Sequence, residues 1–254
     1  MIKRYLLLLS AGLSLAIGQD VPTVPSSPAP ATAQAAAPAK PKIEKLDETR
    51  YRIGKITFDR KTREIRFPAK VNMAEGLLEF VVVQQQGKVH ESLLITDASP
   101  THLNLAFMLL RYPPSNELFS LLDETGHMTG EYPAVPNAVK AGARILIDVE
   151  WTTEEKCQRK PINEWIQHSR ESTPMPPGPW VYSGSDLHQG KFIPEITGDI
   201  AAIFVSRAAM INYPGNDNGS DLVWHAFSKW VPAKGTEVTV IIHPFAKAPV
   251  QAKP

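Results

Sequence analysis

The sequence contains 254 residues, and 27 Lys and Arg are balanced by 26 Asp and Glu to a formal net charge of +1. This balance argues against a nucleic-acid-binding protein, which usually carries a basic face. The single cysteine, Cys157, excludes an intrachain disulfide and any zinc or iron–sulfur site made of several thiolates. The hydrophobic fraction of 43% supports a packed core, and that core alone has to hold the domain together.

Residues 1–18 predict an export signal. Residues 1–4 form a short basic start, an apolar run follows, and small side chains at Ala16 and Gly18 precede a cleavage point before Gln19. The run is shorter than the ~20 apolar residues that span a bilayer, so we expect no transmembrane helix after cleavage. An uncleaved N-terminal anchor is the alternative. If the signal is cleaved, we expect a secreted or periplasmic protein.

Residues 19–45 predict a disordered spacer. They are rich in Pro, Ala, Ser and Thr and contain almost no bulky side chain, so they cannot bury enough apolar surface to fold. The prolines favour an extended spacer that holds the domain away from a membrane or wall, although a tail without this role is equally open. Residues 246–254 resemble the spacer in composition and predict a disordered tail, which leaves residues 46–245 as the folded domain.

The first half of this domain predicts two hairpins. Residues 51–58 and 63–67 contain alternating apolar and polar positions on either side of a polar turn. Residues 77–84 are apolar and β-branched, as in a central strand covered on both faces, and residues 89–96 return after a turn at Gly87.

The period of two along the returning strand predicts which side chains are neighbours. One face carries Val89, Glu91, Leu93 and Ile95, and the other carries His90, Ser92, Leu94 and Thr96. His90 and Ser92 are therefore expected to be neighbours, whereas Glu91 points away from both. This arrangement argues against a ready-made His-Glu-Ser triad.

A helix is predicted to follow at residues 100–110. Ser99 is the expected N-cap and Pro100 the first helical residue, where its missing N–H does no harm. Apolar residues then recur at helical spacing as far as the Pro113-Pro114 pair.

The remaining strands are predicted at residues 142–151, 180–182, 198–205 and 236–243. No Gly/Ser-rich linker interrupts the chain between residues 45 and 244. The sequence therefore predicts an α+β fold, a β-rich single domain with antiparallel hairpins and one or two packed helices.

Several segments together resemble the YdjY-type domain. The matching pieces are EIRFPAKVN, LLEFVVVQ, GKVHESLLIT, SPTHLNLAFMLL, PWVYSGS, GDIAAIF and TEVTVIIHP. The resemblance extends over about residues 51–244, and GKVHESLL is its most specific element. It implies an exported bacterial domain of unassigned role and no particular reaction. Some relatives are described as ferredoxin-like because of an associated iron–sulfur segment, but this chain lacks the cysteines for one, so no cofactor is expected.

Polar side chains are densest in two segments, after the central strand and after residues 180–182. The candidate binding residues are His90, Glu91, Ser92, Asp97, His102, Ser183, Ser185 and Asp186. A hydrolase acting on an envelope ester or glycan would use Ser92 or Ser185 as nucleophile, with a nearby histidine as base and Asp97 or Asp186 to orient it. The Gly-x-Ser-x-Gly elbow of many such enzymes is missing.

Metal binding is a second alternative. His90, Glu91, Asp97, His102 and His188 are suitable ligand types. Their spacing is not that of a His-Glu-x-x-His helix, so no metal site is predicted.

Five tryptophans and the lone cysteine are further candidates. The tryptophans at 151, 165, 180, 224 and 230 would suit a carbohydrate-binding groove, although tryptophans spread along strands belong more often to the core. Cys157 lies in a charged segment that is expected to be exposed.

The sequence as a whole favours a non-catalytic binding or interaction module of the bacterial periplasm or cell surface. Its partner would be an unknown cell-envelope ligand or protein, and not nucleic acid. The alternative is an envelope hydrolase or a metal-binding protein that uses the region of His90, Ser92 and His102.

Overall fold

Strands make up most of the regular structure. The computed structural model describes residues 41–154 and 156–245, which contain 16 strands and three α-helices. The predicted export signal of residues 1–18 and the predicted tail of residues 246–254 lie outside the described residues. The last residues of the predicted spacer are described, and Ile43–Lys45 already form the first strand.

The elements are numbered in chain order. The strands are β1 (Ile43–Lys45), β2 (Arg50–Ile53), β3 (Ile56–Asp59), β4 (Ile65–Val71), β5 (Phe80–Gln84), β6 (Ser92–Thr96), β7 (Arg144–Thr153), β8 (Lys156–Pro161), β9 (Ile166–His168), β10 (Trp180–Tyr182), β11 (Leu187–His188), β12 (Lys191–Phe192), β13 (Asp199–Ala202), β14 (Ile211–Asn212), β15 (Trp224–Ala226) and β16 (Glu237–Pro244). The α-helices are α1 (Pro100–Leu109), α2 (Asn137–Gly142) and α3 (Ile193–Thr197), and two 3₁₀-helices span Val89–Glu91 and Ile162–Trp165.

Eight of the strands form a closed sheet. Their order is β4-β16-β7-β10-β14-β13-β5-β6, and β6 pairs back to β4. Closure is possible because β4 shares one edge between two partners. Its first half pairs with β3 (Ile65 opposite Phe58), and its second half pairs with β6 (Val71 opposite Leu94). β7 shares an edge in the same way between β10 and β8.

The hydrophobic core follows from the alternation of side chains along these strands. In β16, Val238, Val240 and Ile242 are buried, whereas Glu237 and Thr239 are not. In β4, the alternating residues Ile65, Phe67, Ala69 and Val71 are buried in the same cluster. A period of two gives each strand one apolar face and one polar face, so the polar face is free to carry a binding surface.

The single strand predicted at residues 51–58 is wrong. β2 and β3 divide it, and Gly54-Lys55 form the turn between them. Gly54 has φ +56°, a left-handed conformation that glycine adopts without steric cost and that tight hairpins require. Ile53 and Ile56 lie opposite each other and are both buried, which explains why the apolar pattern concealed the turn. The predicted pairing with residues 63–67 exists as β3–β4.

The second predicted hairpin is also wrong, because β5 and β6 are parallel. Phe80 lies opposite Ser92 and Gln84 opposite Thr96. A turn closed by the Gly87 N–H, which donates to the Gln84 carbonyl at 2.8 Å, and the 3₁₀-helix carry the chain back to the start of β5. Asn72 holds this return, because its Nδ2 donates to the Val89 carbonyl and, at 2.8 Å, to the Ser92 carbonyl. β5 itself is buried along its whole length, as predicted.

The predicted helix is confirmed as α1. The Ser99 hydroxyl accepts a hydrogen bond from the His102 N–H, and Pro100 is the first helical residue. Leu103, Ala106 and Phe107 are buried. The helix therefore packs its apolar face into the core.

The β-rich single domain with few helices is confirmed. The described residues contain three α-helices where one or two were predicted, but α2 and α3 span only six and five residues. Among the described residues, no helix combines the length and the apolar character that crossing a bilayer requires.

Candidate functional site

The segment of residues 87–92 does not have the faces that strand geometry predicted. Because Val89–Glu91 form a 3₁₀-helix, His90 and Glu91 are neighbours, with 3.6 Å between His90 Nε2 and Glu91 Oε2. The His90 side chain is exposed, whereas Ser92 is fully buried. The Ser92 hydroxyl donates to the Lys88 carbonyl at 2.6 Å, so it is engaged within its own turn.

Lys88 is the centre of a charge cluster that was not predicted. Its Nζ lies 3.4 Å from Glu91 Oε1 and 3.5 Å from Glu79 Oε2, and it stands over the Phe80 ring at 5.0 Å from the centroid. Burial would lower the pKa of the Lys88 amine, but the Glu91 and Glu79 carboxylates outweigh it and raise that pKa above its ordinary value. Lys88 therefore ties the 3₁₀-helix to the start of β5.

Asp199 of β13 adds a buried carboxyl to the same cluster. It is 4% exposed, and its Oδ1 has no hydrogen-bond partner among the described residues. Burial raises the pKa of the Asp199 carboxyl, while the Lys88 charge and the Thr197 hydroxyl oppose that rise. Asp199 lies on a strand remote in sequence, so no local pattern pointed to it.

Asp97 and His102 belong to a different contact. Asp97 forms an ion pair with Lys55 in the β2–β3 turn. The His102 ring packs against Gly54 in that turn, since a Cβ on Gly54 would lie 2.7 Å from His102 Nδ1. Both side chains thus connect the start of α1 to one hairpin.

The candidates after β10 are engaged with the segment that precedes β14. Ser183 is buried and accepts a hydrogen bond from Asn212 Nδ2 at 3.1 Å, and the Ser185 hydroxyl donates to the Arg207 carbonyl at 3.0 Å. Asp186 is exposed, and so is His188 in β11. The predicted hydroxyls therefore have polar partners other than a histidine base.

No metal centre is built from the predicted ligands. In the part of the chain that the structure describes, no group of three or more His, Cys, Asp or Glu side chains has a geometry that would hold a metal ion. The metal alternative thus has no ligand set among these residues.

A groove of about 720 Å³ lies on the polar face of five neighbouring strands. These strands are β6, β4, β16, β7 and β8, in that spatial order. The lining residues are Lys55, Pro68, Ala69, Lys70, Gln85, Ile95, Thr96, Asp97, Glu150, Trp151, Thr152, Cys157, Thr236, Glu237, Val238 and Thr239. Of the predicted candidates, Asp97 alone lines this groove.

The register of the strands explains the lining. Lys70 lies between Ile95 of β6 and Glu237 of β16, and Thr239 lies between Pro68 of β4 and Glu150 of β7. Further along, Thr152 and Cys157 are opposite each other on β7 and β8. The sequence signal that could have found this surface is the polar half of each alternating strand.

The charged groups of the groove are already paired. Lys55 binds Asp97, Lys70 Nζ lies 3.3 Å from Glu237 Oε1, and Glu150 Oε1 lies 2.5 Å from the guanidinium of Arg66. Four threonines complete the surface. Trp151 alternates with Glu150 and Thr152 along β7, and its ring packs edge-on against the buried Trp165, with ring centroids 5.0 Å apart, so its indole faces the core.

These features define a β-rich domain with a closed sheet and a polar groove on its outer face. The chain belongs to the YdjY domain family, whose model matches residues 56–243. This match confirms the family resemblance that the sequence segments carried. Neither a curated protein nor a solved structure matches the chain.

Proposed function

We propose that this protein is an exported, non-catalytic binding module of the bacterial periplasm or cell surface, and that its groove holds an uncharged, polar glycan of the cell envelope. One observation carries the proposal. Each charged side chain that lines the groove is paired with an opposite charge, so the groove offers hydrogen-bonding groups without an unbalanced charge.

Such a surface favours an uncharged partner over a charged one. A charged polymer would have to break ion pairs such as Lys70–Glu237 or bring a charge that the groove does not complement. A sugar chain can instead exchange hydrogen bonds with the threonine hydroxyls and place a ring face on the apolar side chains of Pro68 and Ile95. A volume of about 720 Å³ is within the range of ligand-binding pockets and suits a short oligosaccharide.

The contacts of the candidate nucleophiles support binding without catalysis. The hydroxyls of Ser92 and Ser185 donate to backbone carbonyls, and within residues 41–154 and 156–245 neither makes a hydrogen bond to a histidine. A serine nucleophile needs a base within hydrogen-bond reach to take its proton. Export is proposed from the pattern of residues 1–18.

Calorimetric titration with uncharged oligosaccharides tests the proposal. The probes are chitotetraose and cellotetraose, and an anionic oligosaccharide of the same length is the comparison. We expect at least one uncharged probe to bind and the anionic probe to bind more weakly. The double variant Thr152→Val and Thr239→Val keeps shape and β-branching but removes two hydroxyls, and should weaken binding by about tenfold.

The matched control is Thr101→Val, which removes an exposed hydroxyl from α1 outside the groove. Its affinity should equal that of the parent protein. Tighter binding of the anionic probe, or equal losses in the control and the double variant, would contradict the proposal. Labelling by a fluorophosphonate, which modifies activated serines, would favour the hydrolase instead.

A further inference from the structure

A second pocket of about 340 Å³ lies beside the pair formed by β9 and β15. Trp224 of β15 stands directly opposite His168 of β9, and both line the pocket together with Tyr213. None of these residues lines the groove, so this pocket and the groove proposed for glycans are separate surfaces.

Three aromatic rings form a corner in this pocket. The His168 and Trp224 rings are 5.3 Å apart at 89°, and the Tyr213 and Trp224 rings are 5.6 Å apart at 82°. Rings at right angles place the edge of one against the face of the other, which is an arrangement that aromatic pairs favour. Pro174 and Pro176 add apolar wall.

The backbone around Tyr213 is built to hold its ring. Gly215 has no side chain, and a Cβ there would lie 2.2 Å from the Tyr213 hydroxyl oxygen, so the ring rests directly on the glycine. Asn218 Nδ2 donates to the Tyr213 carbonyl at 3.0 Å and fixes the loop that carries Asp217. Burial, followed by the nearby Asp217 charge, raises the pKa of the Tyr213 phenol, so the ring remains neutral.

The pocket has an excess of negative charge. Two carboxylates line it, from Glu171 and Asp217, and none of its lining side chains in the described chain is Lys or Arg. His168 Nδ1 accepts a hydrogen bond from the Arg170 N–H at 3.3 Å, and its Nε2 lies 3.5 Å from Asp217 Oδ2.

We propose that this pocket binds the quaternary or methylated ammonium group of a small organic cation. Aromatic rings attract such a group through the negative potential of their faces, and a carboxylate at the rim adds a direct charge interaction. The rings supply the first interaction, and Asp217 and Glu171 supply the second. The contrast with the groove is one of charge balance, since the groove pairs its carboxylates with Lys and Arg and this pocket does not.

The test compares choline with 3,3-dimethylbutan-1-ol, which has the same shape but no charge. Binding to the full chain is followed by the indole N–H signals of the five tryptophans in a nitrogen–proton NMR spectrum. The Trp224 signal is assigned from Trp224→Phe; its Nε1 has no hydrogen-bond partner among the described residues and therefore reports a change in its surroundings sensitively. The Trp180 indole, which donates to Asn163 Oδ1 at 3.1 Å in the core, is the internal reference.

We expect choline to shift the Trp224 signal, to leave the Trp180 signal in place, and to bind about tenfold more tightly than the neutral alcohol. Asp217→Asn removes the charge but tolerates the left-handed backbone at φ +58°, and should weaken choline binding by about fivefold. Asp221→Asn, an exposed position outside the pocket, should have no effect. Equal affinities for the two probes, no shift with choline, or equal losses in the two variants would overturn the proposal.

Discussion

The imidazole of His102 rests on the backbone of Gly54, where a Cβ would lie 2.7 Å from His102 Nδ1. This contact joins the start of α1 to the β2–β3 turn, and the Lys55–Asp97 ion pair joins the same two segments beside it. His102 thereby has a packing role at the place where the sequence suggested a catalytic base. Position 54 requires glycine for two reasons: its φ is positive, and the His102 ring leaves no room for a Cβ.

Gly54→Ala is expected to destabilise the protein by about 2–4 kcal/mol, because alanine is strained at φ +56° and its Cβ meets the imidazole. The matched control is Gly126→Ala, where φ is +85° but no atom lies within 4 Å of the added Cβ. That variant should lose only about 1–2 kcal/mol of unfolding free energy in urea titrations. Two results would show that the contact between His102 and Gly54 does not contribute to stability. One is an equal loss of unfolding free energy in Gly54→Ala and Gly126→Ala, and the other is that adding His102→Ala to Gly54→Ala recovers none of the loss.

Lys88→Met removes the cation from a cluster of three carboxyl groups. Glu79, Glu91 and the buried Asp199 would then repel one another across a partly desolvated space. We expect a loss of about 1–2 kcal/mol in unfolding free energy, moderated because the Lys88 side chain is half exposed. Lys160→Met, which breaks an exposed pair with Glu164, should change stability by less than about 0.5 kcal/mol. A loss no greater than that of the control would contradict the role given to Lys88.

Asp199 makes stability depend on pH in a predictable direction. Burial raises the pKa of its carboxyl in the folded state above the ordinary value of 3.8, so the folded state binds a proton more tightly than the unfolded state. The free energy of unfolding therefore falls as pH rises from the ordinary pKa through the raised one, and the penalty remains above that window. Asp199→Asn removes this term, so in urea titrations its stability relative to the parent should improve as pH rises above 3.8 and through the raised pKa.

Asp47 supplies a control of opposite sign. Backbone N–H donors, chiefly that of Arg50, lower the pKa of the exposed Asp47 carboxyl. Its contribution to stability is present above its ordinary pKa and is lost as pH falls through the lowered one. Asp47→Asn should therefore become less stable relative to the parent as pH rises from the lowered pKa to the ordinary value of 3.8, and its relative stability should then stay level above that value. Identical pH trends in the two variants would show that neither depends on the carboxyl that was removed.

Local signals in the sequence predicted elements well, and connections between them poorly. The N-cap Ser99 and the Pro100 that follows act within one turn, so they identified α1. The order of strands was harder, because a short link between two apolar strands normally makes an antiparallel hairpin. Here a 3₁₀-helix and the amide of Asn72 return the chain to the start of β5, and the pair becomes parallel.

The sites depended even more on long-range pairing. Lys88 lies in one of the two segments where the sequence predicted a site. Its partners are remote in sequence, since Glu79 lies just before β5 and Asp199 lies in β13. The groove is made of polar positions on five strands that meet only after the sheet closes. Composition and periodicity can identify such residues as exposed. Only the pairing register of the strands shows which of them are neighbours.

The reactivity of Cys157 offers the most direct measurement of whether the groove is the binding surface. It is the chain's one cysteine, it is exposed, and it lines the groove opposite Thr152, so its reaction with a maleimide reports access to this surface alone. With an uncharged oligosaccharide at about ten times its dissociation constant, the reaction should slow by about tenfold, and in the Thr152→Val and Thr239→Val variant the same concentration should slow it by only about twofold. Binding of the oligosaccharide with an unchanged rate at Cys157 would contradict the account.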